Sequence, residues 1–450
     1  MGKSKVDMLS GPLLKNLIIF ATPVIIGGWV QLLFNAADVI VIGQFCGSAS
    51  IGAMGTTSAI SGLVINMFMG LSAGVTVTVA NAAGGGDHDM IQKAVHTAVL
   101  TAIIGGLIIA AVGVPLTKPL LRMIATPESV IGKSAIYMSI ILGGNIFNLL
   151  YNFGAAILRA VGDSRRPLYF ITASGAFNVL LNLFFVLVLK LDVAGVALAT
   201  VLSNGVAAYL VLRSLAKRTD ACKLFISKLR IHKDSFKKIL RIGIPSGVQA
   251  SLFSISNVLV QSSINSFGEA MMSAETAGGN INSFMISAVT GFDTSAINFV
   301  GQNMGAKKYR RVRKVAFTCF LVSAIMGLTM GIGTYIMGRP LLSIYITDSP
   351  QAIAYGIVRM RFMCLPFVFY AIYDVFSATL RGLGRSAVAM TVSLCCVCLV
   401  RSVWIYTVFN RFRTQQALYW SYPVTWILTA VTMAVCVWLA LKKLPKTEAE

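Results

Sequence analysis

The sequence predicts an all-α membrane protein of twelve transmembrane helices arranged as two parallel six-helix repeats. Three observations carry that prediction. Of 450 residues, 56% are hydrophobic and only 12% charged, more apolar surface than a water-soluble chain of this length can hide. The apolar stretches are of helix length and do not alternate as strands do; in hydrocarbon, such a segment must satisfy its own backbone hydrogen bonds. Finally, the chain repeats itself at an offset of 221 to 222 residues: Ile157-Leu158-Arg159-Ala160-Val161-Gly162-Asp163-Ser164 returns as Thr379-Leu380-Arg381-Gly382-Leu383-Gly384-Arg385-Ser386, and Pro23 returns as Pro245.

Taken in order, the first span covers 16–43, long enough to remain in the membrane and act as its own signal, and it carries Asp38. Spans follow at 50–82, 91–115 and 133–158, the last with Asn148 and Asn152 one turn apart. The fifth, 168–190, places Asn178 and Asn182 on one face, and 193–215 completes the first repeat. After a basic stretch at 216–237 come 238–264, 273–303 with Asp293, 314–337, 352–380 with Tyr370 and Asp374, 386–408 with Arg401, and 414–441. The expected domains are an N-lobe at 1–215, a cytoplasmic basic linker at 216–237 and a C-lobe at 238–450. Six spans return the chain to its starting side, so the second copy inserts in the same sense as the first.

A net charge of +22 invites a nucleic-acid reading, but its distribution argues against one. With the N-terminus in the cytoplasm, 28 of the 38 basic residues fall on that side, including Lys3, Lys446 and the cluster at 216–241, nine fall on the other, and Arg401 lies within a span. This is the positive-inside pattern of a multi-pass protein of the cell membrane with both termini cytoplasmic, its linker lying along anionic lipid headgroups.

Enzyme chemistry lacks its parts. Gly132-Lys133-Ser134 has Pro127 where a phosphate-binding loop needs glycine, Gly382-Leu383-Gly384 follows no strand, and His88, His96 and His232 form no ligand pair. Six of the eight cysteines, Cys319, Cys364, Cys395, Cys396, Cys398 and Cys436, read as packing residues of apolar spans. No enzyme activity and no cofactor is expected, which leaves transport driven by an ion gradient.

Three carboxylates fall within spans beyond the terminal turns: Asp38, Asp293 and Asp374. A charge at the bilayer centre costs on the order of 3 kcal/mol or more, so such groups usually face a polar cavity or pair with a neighbour. The structural alternative for all three is a carboxyl held neutral or paired with a neighbouring amide or with Arg401; Arg401 itself, near the end of its span, is expected to snorkel outward. Asn182 lies near the depth of Asp38, so that Asp38, Asn178 and Asn182 form a candidate cation-coupling site, with sodium at Asp38 possible. The bland alternative for the asparagines is hydrogen bonding between helices. Asn35, Asn148, Asn152, Asp293, Tyr370 and Asp374 are candidates for lining a substrate cavity.

Twelve spans in two parallel repeats, the segment Asn35-Ala36-Ala37-Asp38-Val39-Ile40-Val41-Ile42-Gly43, the paired Leu-Arg-x-x-Gly turns at Leu158 and Leu380, and Gly301-Gln302-Asn303-Met304-Gly305-Ala306 together resemble the multidrug and toxic compound extrusion (MATE) family over residues 10–441. The resemblance implies two six-helix lobes forming a V-shaped cleft, and export of organic cations in exchange for sodium ions or protons; a monomer acting on lipophilic or organic cations is expected. Asp38 matches the family's first-span aspartate and Asn178 the asparagine of its span-5 site. The chain departs from the pattern at Asn182, where many members carry a second aspartate, and at Ser251-Leu252-Phe253-Ser254, where one subfamily carries an acid; Tyr370 stands nearer than Asp374 to that subfamily's span-10 aspartate. With one carboxylate among amides and apolar walls, desolvation favours the protonated form, and the reading leans to proton coupling. The alternative, a flippase for lipid-linked saccharides of related architecture, would call for several basic residues in the cavity, where only Arg401 lies mid-span.

Overall fold

The computed structural model of the chain describes residues 5–46, 48–124, 126–347 and 349–445; Lys3 and Lys446 of the charge count lie outside them. The described residues contain helices and no strand. The first repeat comprises α1 (Leu13–Phe45), α2 (Ser48–Gly84), α3 (His88–Met123), α4 (Glu128–Gly143), α5 (Asn145–Ala160), α6 (Arg165–Leu183) and α7 (Asp192–Ala216). The second comprises α8 (Lys233–Asn265), α9 (Glu269–Gly305), α10 (Tyr309–Ile336), α11 (Gly338–Tyr345), α12 (Pro350–Cys364), α13 (Phe367–Gly382), α14 (Ser386–Ser393), α15 (Val400–Trp404), α16 (Asn410–Phe412), α17 (Gln415–Tyr419) and α18 (Ser421–Lys442).

The duplication is visible in the helices themselves. Both leading helices, α1 and α8, have 33 residues, and both second helices, α2 and α9, have 37. The fourth span of each repeat is broken: α4 and α5 meet at Gly144 with a bend of 42°, α12 and α13 at Leu365 and Pro366 with a bend of 45°. Glycine weakens a helix by its freedom and proline by its missing N–H, so two different residues yield the same break. A π-helical turn at Phe184–Val188, after α6, recurs 221 residues later at Ile405–Phe409.

Eight described helical stretches are long and apolar enough to cross a membrane, or ten with each bent pair taken as one span. Helices α8 and α9 have the length, and their Ser, Gly, Asn and Gln content lowers their hydropathy. With them the helical segments of span length number twelve, consistent with the predicted count.

The chain packs as two compact units, one from the described parts of Met1–Asp7 and Ile26–Gly247, the other from the described parts of Met8–Ile25 and Val248–Glu450. The first is built around Val75, Ala98, Leu149, Phe153 and Val211 of α2, α3, α5 and α7. Around Met285, Val289, Phe367, Tyr419 and Trp426 the second forms its own core. These units differ from the lobes read from sequence at two short segments. The start of α8 packs in the first unit on α2, and the start of α1 packs in the second unit on α9. The reason is close backbone approach. A Cβ on Gly70 would fall 2.0 Å from Gly247 N, and one on Gly247 would fall 2.2 Å from Met67 O, so α2 and α8 touch through a small-x-x-x-small face. In the second unit Gly291 repeats this arrangement, with a Cβ there 2.4 Å from Ile25 Cγ1. The prolines Pro23 and Pro245 lie inside α1 and α8 just before the chain changes unit.

The stretch at 216–237 is bound down rather than loose. Arg218 donates to both carboxylate oxygens of Asp220 at 2.8 and 2.6 Å, and Lys5 reaches Asp220 at 2.6 Å. The hydrogen bonds from Arg218 hold the Asp220 carboxyl well below the usual carboxylate range, against partial burial and helped by Lys5. The Phe225 N–H donates to His96 Nε2 at 3.1 Å, its ring stacks on the imidazole, and the His232 N–H donates to Thr97 Oγ1 at 3.0 Å.

Candidate functional site

Helices α1, α6 and α7 bring one carboxylate and three small polar side chains together inside the first unit. Asp38 is 7% exposed, Asn178 5% and Asn182 0%, so this polar group is removed from water. The four-residue spacing of Asn178 and Asn182 on α6 stacks their amides on one face. Asn182 Nδ2 donates to Asp38 Oδ1 at 2.5 Å and lies 3.3 Å from Asn178 Oδ1. Thr200 Oγ1 lies 3.5 Å from Asp38 Oδ2 and 2.9 Å from Val196 O, and its single proton serves the nearer acceptor better.

The electrostatics follow from this count. A carboxylate offers about four lone-pair sites, and Asp38 has one short donor, one distant hydroxyl and no ion pair among the described residues. The oxygen of Asn182, Oδ1, is buried without any hydrogen-bond partner. On the same helices and the π-helical turn after α6, Val41, Ile42, Val186 and Val196 form one buried apolar cluster, and Tyr137 of α4 joins Val193 and Ala197 of α7 in another. A buried, under-compensated negative group beside an idle acceptor oxygen favours uptake of one small cation, whether a proton or a metal ion held by oxygens. No three His, Cys, Asp or Glu side chains gather to hold a metal ion among the described residues.

The remaining sequence candidates sit elsewhere. Asn35 is exposed on α1. Asn152 donates to the side chain of Asn148 and to its carbonyl at 2.9 Å, a pair within α5. Asp293 of α9 is ion-paired with Arg381 at 2.8 Å, not with Arg401. Asp374, half-buried on α13, has no hydrogen bond or ion pair among the described residues; one turn before it, Tyr370 lies against Phe367, Tyr373 and Trp426 with ring centroids 5.2 to 5.5 Å apart.

Arg401 corrects the snorkelling expectation. It is 4% exposed, donates to Asn257 Oδ1 at 3.2 Å and stacks 4.4 Å above the Tyr422 ring. An aromatic face and an amide compensate the guanidinium inside the unit, so it has no need to reach water. Sequence reasoning missed two features. Thr200 left no trace because a hydroxyl hardly alters hydropathy. Glu275 and Arg359 form a bidentate pair at 2.8 and 2.9 Å, with the Tyr419 hydroxyl donating to Glu275 at 2.7 Å. Both fall inside the spans drawn at 273–303 and 352–380, and that position was the available signal.

A family model described as MatE matches residues 23–184 and again 245–407. The "Probable multidrug resistance protein YpnP" of Bacillus subtilis (strain 168) is 28% identical over 390 residues, 86% of each chain. The "Probable multidrug resistance protein NorM" of Thermotoga maritima is 26% identical over 434 residues, 95% of this chain and 92% of that one. Among solved structures, one described as the outward-facing conformation of a multidrug resistance MATE family transporter of the MOP superfamily superposes with a TM-score of 0.91 at 20% identity, over 99% of this chain and 100% of that chain.

Proposed function

Because the chain belongs to the MatE family of multi-pass membrane transporters, the multidrug and toxic compound extrusion proteins, we propose that it is a secondary active antiporter exporting organic cations or drugs from the cell in exchange for protons. The observation that carries the reading is Asp38: a buried carboxylate with one short donor and no counter-charge. When Asp38 is ionised, a lipophilic cation is drawn toward it. When a proton occupies the carboxylate, that attraction is cancelled and the cation leaves. Competition for one negative charge couples the two fluxes without further machinery.

Asn178, Asn182 and Thr200 are positioning residues in this scheme: they hold Asp38 in place and offer oxygens to whatever replaces the drug. The names of the relatives, both multidrug resistance proteins, support the drug-export reading. They lend no support to the saccharide flippase. Sodium is the second reading, favoured by the idle Asn182 Oδ1, since a hard cation seeks several oxygens at once. Both termini face the cytoplasm in this proposal, in keeping with the basic residues at the ends of the first and last spans.

The test is transport by the full chain in vesicles loaded with no sodium. An imposed pH gradient is expected to drive uptake of a fluorescent cation, and Asp38→Asn to abolish it. Uptake that needs a sodium gradient and ignores pH would transfer the role to sodium, and uptake indifferent to both would overturn antiport.

A further inference from the structure

At one end of the first unit, the first turns of α3, the segment 230–232 and the first turns of α8 enclose a cavity of about 720 Å³. Its size falls within the roughly 300–1,000 Å³ of small-molecule pockets. Its lining is unlike that of any apolar pocket: Lys93, Arg230, Lys233, Lys237, Lys238 and Arg241 supply six cations, and Asp234 is the one acid among its lining residues. Lys93 is ion-paired with Asp89. Arg230, Lys233, Lys237, Lys238 and Arg241 have no ion pair among the described residues. Five cations without an ion pair, against one acid, leave the hollow with a net positive charge that concentrates anions there.

The walls are fixed, which distinguishes this place from a floppy basic tail. The bonds from Phe225 to His96 and from His232 to Thr97 pin the segment before α8 onto α3. The cavity also lies at the end of a candidate span, since α3 is long and apolar enough to cross a membrane and begins here. Past Arg241, helix α8 turns apolar at once: Ile244, three residues further, is 47% exposed. Cations beside an exposed apolar surface match a ligand that has an anionic head and a hydrocarbon body.

We propose that this cavity binds a phosphate-bearing anion, namely the headgroup of an anionic phospholipid, independently of the drug and the coupling ion. The full chain, purified in mild detergent, is examined by native mass spectrometry after mixing with phosphatidylglycerol or with phosphatidylcholine, which needs no variant. Retention of phosphatidylglycerol over phosphatidylcholine is expected. A chain carrying Lys237→Gln, Lys238→Gln and Arg241→Gln should lose roughly ten- to hundred-fold in that retention, as each cation near a lipid surface contributes about a factor of five. A control carrying Lys314→Gln, Lys442→Gln and Lys443→Gln removes the same charge elsewhere and should retain lipid as the parent does. Equal retention of the two lipids, equal loss in the control, or full retention by the cavity variant would each overturn the proposal. Displacement of phosphatidylglycerol by millimolar inorganic phosphate would overturn the lipid assignment and make the site one for soluble phosphate.

Discussion

Asp38 depends on three side chains, and substitutions there separate coupling from folding. Asp38→Asn keeps the shape and the hydrogen-bonding partners but cannot alternate between charged and neutral. Dye efflux from cells should fall to the level of cells lacking the transporter while the amount of protein in the membrane stays the same. Asn182→Asp adds a second carboxylate beside the first, where the present side chains already touch at 2.5 Å, and two acids so placed cannot both ionise without a cation between them. That variant should gain a dependence on sodium, seen as faster efflux when sodium is added at constant pH. Outside the membrane, Asp220 gives a pH prediction. Its folded form loses its proton more readily than an unfolded one, so it adds stability above the ordinary carboxylate range and loses it only as pH falls through and below that range. Amide exchange at Cys222–Leu224 should stay slow down to about pH 4 and then quicken, and Asp220→Asn should quicken it at pH 7. Legibility in sequence followed the chemistry. Asp38, Asn178 and Asn182 stood out because charge and amides are rare in apolar runs, whereas Thr200 blended in, and the partner of Asp293 came from a turn that local spacing could not connect to it.

Among the elements, the spans were legible because a bilayer demands long apolar runs, and the offset of 221 reappears in helix lengths, in the broken fourth spans and in the π-helical turns. The exchange of leading helices was not legible. It rests on which glycine face meets which, and hydropathy is blind to faces when a helix is apolar all round. Gly247→Leu should therefore be costly: its first added atom would fall 2.2 Å from Met67 O, and overpacking of this kind costs about 1–3 kcal/mol or more. At Gly333 on α10 an added Cβ meets nothing within 4 Å, so Gly333→Leu serves as the control. Thermal unfolding of the two purified variants in detergent checks the difference; equal midpoints would mean that the α2–α8 contact is not tight.

For the whole molecule, orientation is the first test. In a chain whose eight native cysteines are replaced by serine, a cysteine at Ser227 should react with an impermeant reagent only after the membrane is opened, and one at Asp192 should react in intact cells. The reverse result would invert the topology. The crossing of α1 and α8 between the units also sets an order on how this protein comes into being. Residues Met8–Ile25 are made early, yet the surface they pack on, around Gly291, is made some 270 residues later. At about 5–20 residues per second the opening segment waits tens of seconds in the membrane with no partner. During that wait its exposed flank is open to proteases and to insertion factors that shield nascent helices. A chain cut into 1–222 and 223–450 should then behave unlike a two-domain protein. Either half alone should be cleared from the membrane, and both should persist when made together, because neither can finish folding until the other has been born.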